Sequence, residues 1–206
     1  KLAFSKKDKQ MVQDLVHEDT IPLLGEFNLL NVVPAIIIGR LFKVADNKIE
    51  EAIINFKPLP HRLEFVAESR GIRFYNDSLS TIPQATVEAL AALGENVQTL
   101  IAGGFDRGLD YSVLGRAIAR SNIRTLILFP DTGVKIWDGV CKYSKKLPKK
   151  FDVLDMGQAV KIAYGETEFG KICLLSPAST SFNLFRDYED RGNQFKGFVT
   201  SFRATN

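Results

Sequence analysis

Three short turns hold most of the side chains able to do chemistry, and each follows a run of β-prone residues. They read Asn76-Asp77-Ser78-Leu79-Ser80-Thr81-Ile82-Pro83, Gly103-Gly104-Phe105-Asp106-Arg107-Gly108 and Ser176-Pro177-Ala178-Ser179-Thr180-Ser181-Phe182. In the first, Asp77 stands at a strand end, where a carboxylate can bind a ribose or orient a cation, whereas Ser78 and Ser80 are explained by a turn. Thr81 is placed to cap a helix with Pro83 in its first turn. In the second, paired glycines allow positive φ or close backbone approach. Arg107 would project from that loop with forked donors suited to a carboxylate or phosphate, and a solvated arginine on a surface turn accounts for it equally well. In the third, Ser176 caps a helix, Pro177 takes its first position and three hydroxyls line the first turn. Free N–H groups and the helix dipole there favour an anion, although helix-start satisfaction alone explains Ser176 fully and Ser179 to Ser181 in part.

Beyond the third turn, Phe182, Phe185 and Tyr188 recur every three residues, followed by Phe195, Phe198 and Phe202. Most of these read as core, with Tyr188 set apart by its nearness to the hydroxyl cluster. The stretch Gly165-Glu166-Thr167-Glu168-Phe169-Gly170-Lys171-Ile172 imitates a phosphate-binding loop. It has isoleucine where Ser or Thr should hold magnesium, and it precedes a strand instead of following one, so it is rejected. His17 and His61 are isolated, and structural roles are the default for both. Cys141 and Cys173 are too few and too distant to suggest a disulfide framework or a zinc site.

The turns need a frame, and the pattern supplies one. Short β-prone runs at Leu63 to Ala67, Ile72 to Tyr75, Thr99 to Ala102, Thr125 to Phe129, Phe151 to Leu154 and Ile172 to Leu175 alternate with amphipathic stretches. Those predict helices over Pro83 to Leu93, Tyr111 to Arg120, Val134 to Tyr143, Met156 to Tyr164 and Pro177 to Phe202. This alternation is that of an open α/β sheet, mostly parallel, whose ligands bind at the carboxyl ends of strands. Upstream, helices are expected around Lys9 to Val16, over Asn28 to Phe42 with Pro34 either kinking it or marking a later start, and over Lys48 to Ile54. Two prolines within Phe56-Lys57-Pro58-Leu59-Pro60-His61 suit a stiff linker, and a domain boundary is expected near residue 60.

The chain has 206 residues, 45% of them hydrophobic and 25% charged, the balance of a folding globular protein. A net charge of +3 gives no electrostatic reason to expect nucleic acid or a membrane surface as partner. Lys145, Lys146, Lys149 and Lys150 read as a solvated loop. The longest apolar run, Leu29 to Phe42, is interrupted by Asn31, Pro34, Gly39 and Arg40 and is shorter than the ~20 residues that span a bilayer. No signal-peptide pattern opens the sequence, which begins with Lys1 and so suggests a processed or shortened chain. A cytoplasmic monomer is expected.

Taken together, several ordered segments resemble the Mur ligases. They are Gly25-Glu26-Phe27-Asn28-Leu29-Leu30-Asn31, Phe56 to Glu64, Tyr75-Asn76-Asp77-Ser78, Gly103-Gly104, Leu174 to Ser179 and Glu189-Asp190-Arg191-Gly192-Asn193-Gln194-Phe195. The resemblance is strongest to members that add D-glutamate to UDP-N-acetylmuramoyl-L-alanine in peptidoglycan synthesis. It implies that residues 1 to 60 are the tail of a central ATPase domain. Residues 61 to 206 would then form a Rossmann-like C-terminal domain that brings the incoming amino acid. The phosphate-binding loop and the Mg2+ ligands would lie upstream of Lys1, so the chain alone is expected to hydrolyse no ATP.

By the same resemblance, Asn31 would contact adenine, and Arg62 and Asp77 would hold the ribose and phosphate side of the nucleotide. Thr81 and Arg107 would bind the α-carboxylate of glutamate; Ser181, Phe182 and the backbone near Tyr188 would receive its side-chain carboxylate. The sequence departs from the family pattern at four positions. Leu79 and Arg107 stand where the family has lysines, Phe27 replaces a histidine and Tyr188 a phenylalanine. Arg107 keeps the charge and adds bidentate geometry, whereas Leu79 removes a cation. Two other readings therefore stand: a related ligase of the folylpolyglutamate type with another amino acid, and a non-catalytic binding domain.

Overall fold

The computed structural model describes residues 5 to 204, which divide into two compact units with the boundary between Leu59 and Pro60. The first unit is helical. Helix α1 (Lys6–Gln13) starts about a turn earlier than the apolar pattern suggests. Ser5 and Asp8 form a capping box there, with the Ser5 hydroxyl accepting from the Asp8 amide and the Asp8 carboxylate accepting from the Ser5 amide. Helix α2 (Glu26–Leu41) runs through Pro34, so the proline does not mark a later start. Helix α3 (Asp46–Ile54) completes a small core with Val12, Val16, Leu29, Val32, Ile36, Ile49 and Ile53. No helix among the described residues is long and apolar enough to cross a membrane.

The second unit is a six-stranded sheet in the order β1-β2-β6-β3-β4-β5. Strands β1 (Glu64–Ser69) and β2 (Ile72–Asn76) form an antiparallel hairpin. Its two turn residues, Arg70 and Gly71, both take positive φ, as a primed hairpin turn requires. All other pairings are parallel, joining β2, β3 (Val97–Gly104), β4 (Thr125–Asp131), β5 (Lys149–Asp152) and β6 (Ile172–Leu175).

Strand β3 is buried along its whole length, which requires cover on both faces of the sheet. Alternate residues supply the two contacts. Phe74, Ile101, Ile127 and Cys173 pack with Met156, Ala159 and Val160 of α7 (Met156–Glu166) and with Phe195 and Val199 of α8 (Tyr188–Ala204). On the other face Leu128 meets Gly133 of α6 (Thr132–Tyr143), which packs in a row with α5 (Ser112–Ala119) and α4 (Pro83–Leu93).

One expected element is corrected. The helix predicted from Pro177 to Phe202 begins only at Tyr188, and residues 177 to 187 are irregular. Backbone groups that a helix would use are spent across the sheet: the Pro177 carbonyl accepts from Gly103 N (2.8 Å) and the Thr180 carbonyl from Phe105 N (2.9 Å). Ala178 between them is left-handed, at φ 59°, a conformation that interrupts a right-handed helix.

Candidate functional site

Because β2, β6 and β3 are parallel neighbours, the three turns that follow them emerge at one edge of the sheet. They are stitched together there. The Asp77 amide donates to the Leu175 carbonyl (2.8 Å) and the Ser176 amide to the Ile101 carbonyl (3.1 Å). The glycine pair makes the closest of these approaches possible: Gly103 (φ +100°) faces the Phe129 backbone at 2.5 Å from where a β-carbon would stand, and Gly104 (φ +146°) leaves no room for one against the Thr180 carbonyl.

Asp77 lies 2% exposed at the centre of the first turn. Its carboxylate accepts from Ser176 Oγ (2.7 Å), the Leu63 amide (3.2 Å) and the Ser80 hydroxyl. Burial nevertheless pushes its pKa up, against the pull of those donors and of the Arg62 charge. Thr81 does not cap α4 as expected. The N-cap is Ile82, with no side-chain bond, and Pro83 opens the helix and removes one amide that would need capping. The Thr81 hydroxyl is therefore left available at the surface of the turn.

Of the remaining expected residues, Arg107 is exposed in the second turn and forms no hydrogen bond or ion pair among the described residues. The neighbouring Asp106 is committed to Lys135. Ser181 is buried, and its hydroxyl bonds to no described residue. Phe182 is 67% exposed. Tyr188 is the first residue of α8: its ring meets His61 edge-on at 6.1 Å and its carbonyl accepts from Ser78 Oγ. The helix N-terminus expected to hold an anion at residues 176 to 181 is absent, so any anion there would be met by hydroxyls and isolated amides. Asn31 belongs to the first unit, where it lines a cleft of about 390 Å³ between α2 and α3.

Two groups escaped sequence reasoning. The first is a set of buried hydroxyls that fixes the third turn. Ser179 Oγ bonds Tyr111 OH (2.8 Å) and Thr132 Oγ1 (2.7 Å), and Thr132 donates to the Gly104 carbonyl (3.0 Å). The second is Arg191, which is fully buried. Its Nε donates to Ser78 Oγ (2.9 Å), Nη2 to the Ser78 carbonyl (2.8 Å) and Nη1 to the Ser179 carbonyl (3.0 Å). Burial pushes its pKa down to about 9, which leaves it a cation at neutral pH. Beside Ser181, Thr180 Oγ1 and Asn183 Oδ1 are buried with no hydrogen-bond partner among the described residues. Such atoms are rare in native folds and mark a place where a water or ligand belongs.

No family model matches the chain. It is 38% identical over 189 residues to the UDP-N-acetylmuramoylalanine–D-glutamate ligase of Caldanaerobacter subterraneus, covering 92% of this chain and 42% of that relative. Over about 92% of its own length the chain is thus similar to a Mur ligase. It spans about 42% of the length of the curated relatives it matches. The UDP-N-acetylmuramate-alanine ligase of Thermotoga maritima shares the fold, with a TM-score of 0.65 and 16% identity over 89% of this chain and 39% of that one. The MurF ligase of the same organism, solved in complex with ADP, gives 0.57 and 17% over 86% of this chain and 40% of its own. The six-stranded, mostly parallel α/β sheet is thus a fold shared with solved Mur ligases.

Proposed function

We propose that this chain is the amino-acid-binding part of an ATP-dependent ligase. The whole protein would join UDP-N-acetylmuramoyl-L-alanine to glutamate in cytoplasmic peptidoglycan synthesis. The observation that carries the reading is the edge where three strand-end turns are bonded together. There the Thr81 and Ser181 hydroxyls and the Arg107 guanidinium are engaged by no described residue, while almost every other polar group around them is. Donors free of internal partners and mounted on a rigid frame suit a small molecule carrying two carboxylates.

In this reading Thr81 and Arg107 hold the α-carboxylate, and Ser181, Phe182 and the Tyr188 backbone receive the side-chain carboxylate. The substrate carboxylate takes the γ-phosphoryl group of ATP, releasing ADP. The glutamate amine, after losing a proton to solvent or base, attacks the acyl carbon and expels phosphate. This chain contributes by holding that amine in place, since such reactions gain most from positioning. Residues 1 to 60 would be the end of the ATP-binding domain, with Asn31 against adenine, and residues 61 to 206 the amino-acid domain. Arg62 and Asp77 would face the nucleotide. Mg2+ is expected to arrive with the nucleotide, and no residue here is assigned to it.

Calorimetric titration of the chain with D-glutamate, L-glutamate, glutamine and ADP tests the binding reading, and phosphate release by the full-length protein tests the reaction. Binding of a dicarboxylic amino acid that Arg107→Ala abolishes supports the first. No preference for any dicarboxylate would sink it. Binding without phosphate release would favour a non-catalytic member, the reading that Leu79 suggests.

A further inference from the structure

Arg191 is a buried cation without a counter-ion. It makes no ion pair among the described residues, and its three bonds go to neutral oxygens of Ser78 and Ser179. The acidic residues nearest it in sequence are engaged elsewhere: Asp187 with Arg186 and the Asp190 amide, Glu189 with the Tyr188 hydroxyl, and Asp190 with the Arg186 amide and Gln194. A charge taken out of water with no partner is unfavourable unless something else answers it. This one lies under the joined ends of β2 and β6, between the turn that carries Thr81 and the turn that carries Ser181. The Gly104 backbone of the β3 end packs beside Nη1.

We propose that Arg191 is a positioning and specificity-determining residue of the strand-end site. Its donors fix the distance between the Ser78 and Ser179 turns, and its unanswered charge selects a ligand with two carboxylates over one whose side chain is neutral. The inference rests on the dicarboxylate reading above. A purely structural clamp could be replaced by any neutral donor of similar size. A field acts differently, because it is felt by ligands according to their charge and is weakly screened in a buried setting.

The test compares affinities of the chain for glutamate and for glutamine, whose side-chain amide has the same shape without the charge. In Arg191→Gln and Arg191→Met the preference for glutamate should fall on the order of tenfold or more, with glutamine affinity falling much less. Equal loss for both ligands would reduce Arg191 to a structural clamp and overturn the specificity claim. Should the neutral variants fail to fold by circular dichroism, Arg191→Lys carries the test. A buried lysine surrenders its proton more readily than arginine, so its glutamate preference should decline between pH 6 and pH 8, a range in which the unaltered chain keeps its charge and stays flat. Flat behaviour in both would sink the proposal. If the unaltered chain prefers no dicarboxylate at all, the underlying reading fails instead.

Discussion

Ser176 Oγ donates to Asp77 Oδ2 at 2.7 Å, tying the end of β6 to the end of β2 across 99 residues of sequence. Ser176 is also 2.9 Å from Thr86 of α4, whose hydroxyl in turn donates to the Ser176 carbonyl. The carboxylate is thus the centre of a buried network that holds two of the three turns in register.

Asp77→Asn should separate stability from binding. The amide keeps an oxygen for the Leu63 amide, and the Ser176 hydroxyl can turn toward Thr86, so unfolding free energy should change by about 1 kcal/mol or less. Because burial raises the Asp77 pKa above 3.8, the folded state loses stability as pH rises through the raised value. The variant lacks that loss, and its stability relative to the parent should therefore improve from pH 3.8 upward. Nucleotide affinity should fall at least about tenfold. Urea titration at several pH values and calorimetry with ADP check both halves.

His61 gives a second pH dependence of opposite sign. Asn76 Oδ1 accepts from the Ser78 amide, which fixes its Nδ2 as the donor to His61 Nδ1 (2.8 Å) and to Glu64 (3.0 Å). The ring proton then sits on Nε2. Burial first, and the Lys196 charge next, lower the His61 pKa below 6.5. The stability of the neutral ring is complete above pH 6.5 and is lost as pH falls through the lowered value. Urea midpoints should drop on acidification below pH 6.5, and His61→Asn, which tolerates the φ of +63° at this position, should flatten that drop. An unchanged pH profile would count against the assignment.

Gly192 lies where α8 crosses the same ring. An added β-carbon would collide with His61 Nδ1 and approach Asn76 Nδ2 to 3.0 Å, so neither partner can yield without breaking their bond. Gly192→Ala should cost about 1–3 kcal/mol by overpacking, in spite of alanine's higher helix propensity. Chemical denaturation measures it, and a neutral or stabilising result would show that the His61 pocket is looser than the geometry implies.

Arg107→Ala should leave stability untouched, because the side chain is exposed and bonds to no described residue. Affinity for a dicarboxylic amino acid should fall about tenfold or more, with partial recovery in Arg107→Lys. In the full-length protein the loss should appear mainly in KM, as expected for an interaction already made with bound substrate.

Among the described residues, six strands and seven of eight helices overlap the stretches where hydrophobic periodicity places them, because those elements follow local pattern; β5 starts two residues before Phe151, taking in Lys149 and Lys150 that read as loop, and α1 starts about a turn early. The segment after Ser176 defeated the same logic. Ser-Pro followed by small residues is a strong helix-start signal, yet Pro177 and Thr180 give their carbonyls to Gly103 and Phe105, partners about 75 residues away in sequence. Thr81 likewise reads as a cap and is not one, since the proline at α4's start removes part of the need.

The sequence by itself determined the α/β class, the strand ends where polar turns gather and the resemblance to Mur ligases, for these are written in spacing and residue type. Only the tertiary structure decided which hydroxyls are consumed and which are left over, and that Arg191 is buried without an anion. The reason is physical: a hydrogen-bond partner and a desolvated charge are properties of what lies across space. Ser78, Ser179 and Arg191 meet only once β2, β6 and α8 have packed.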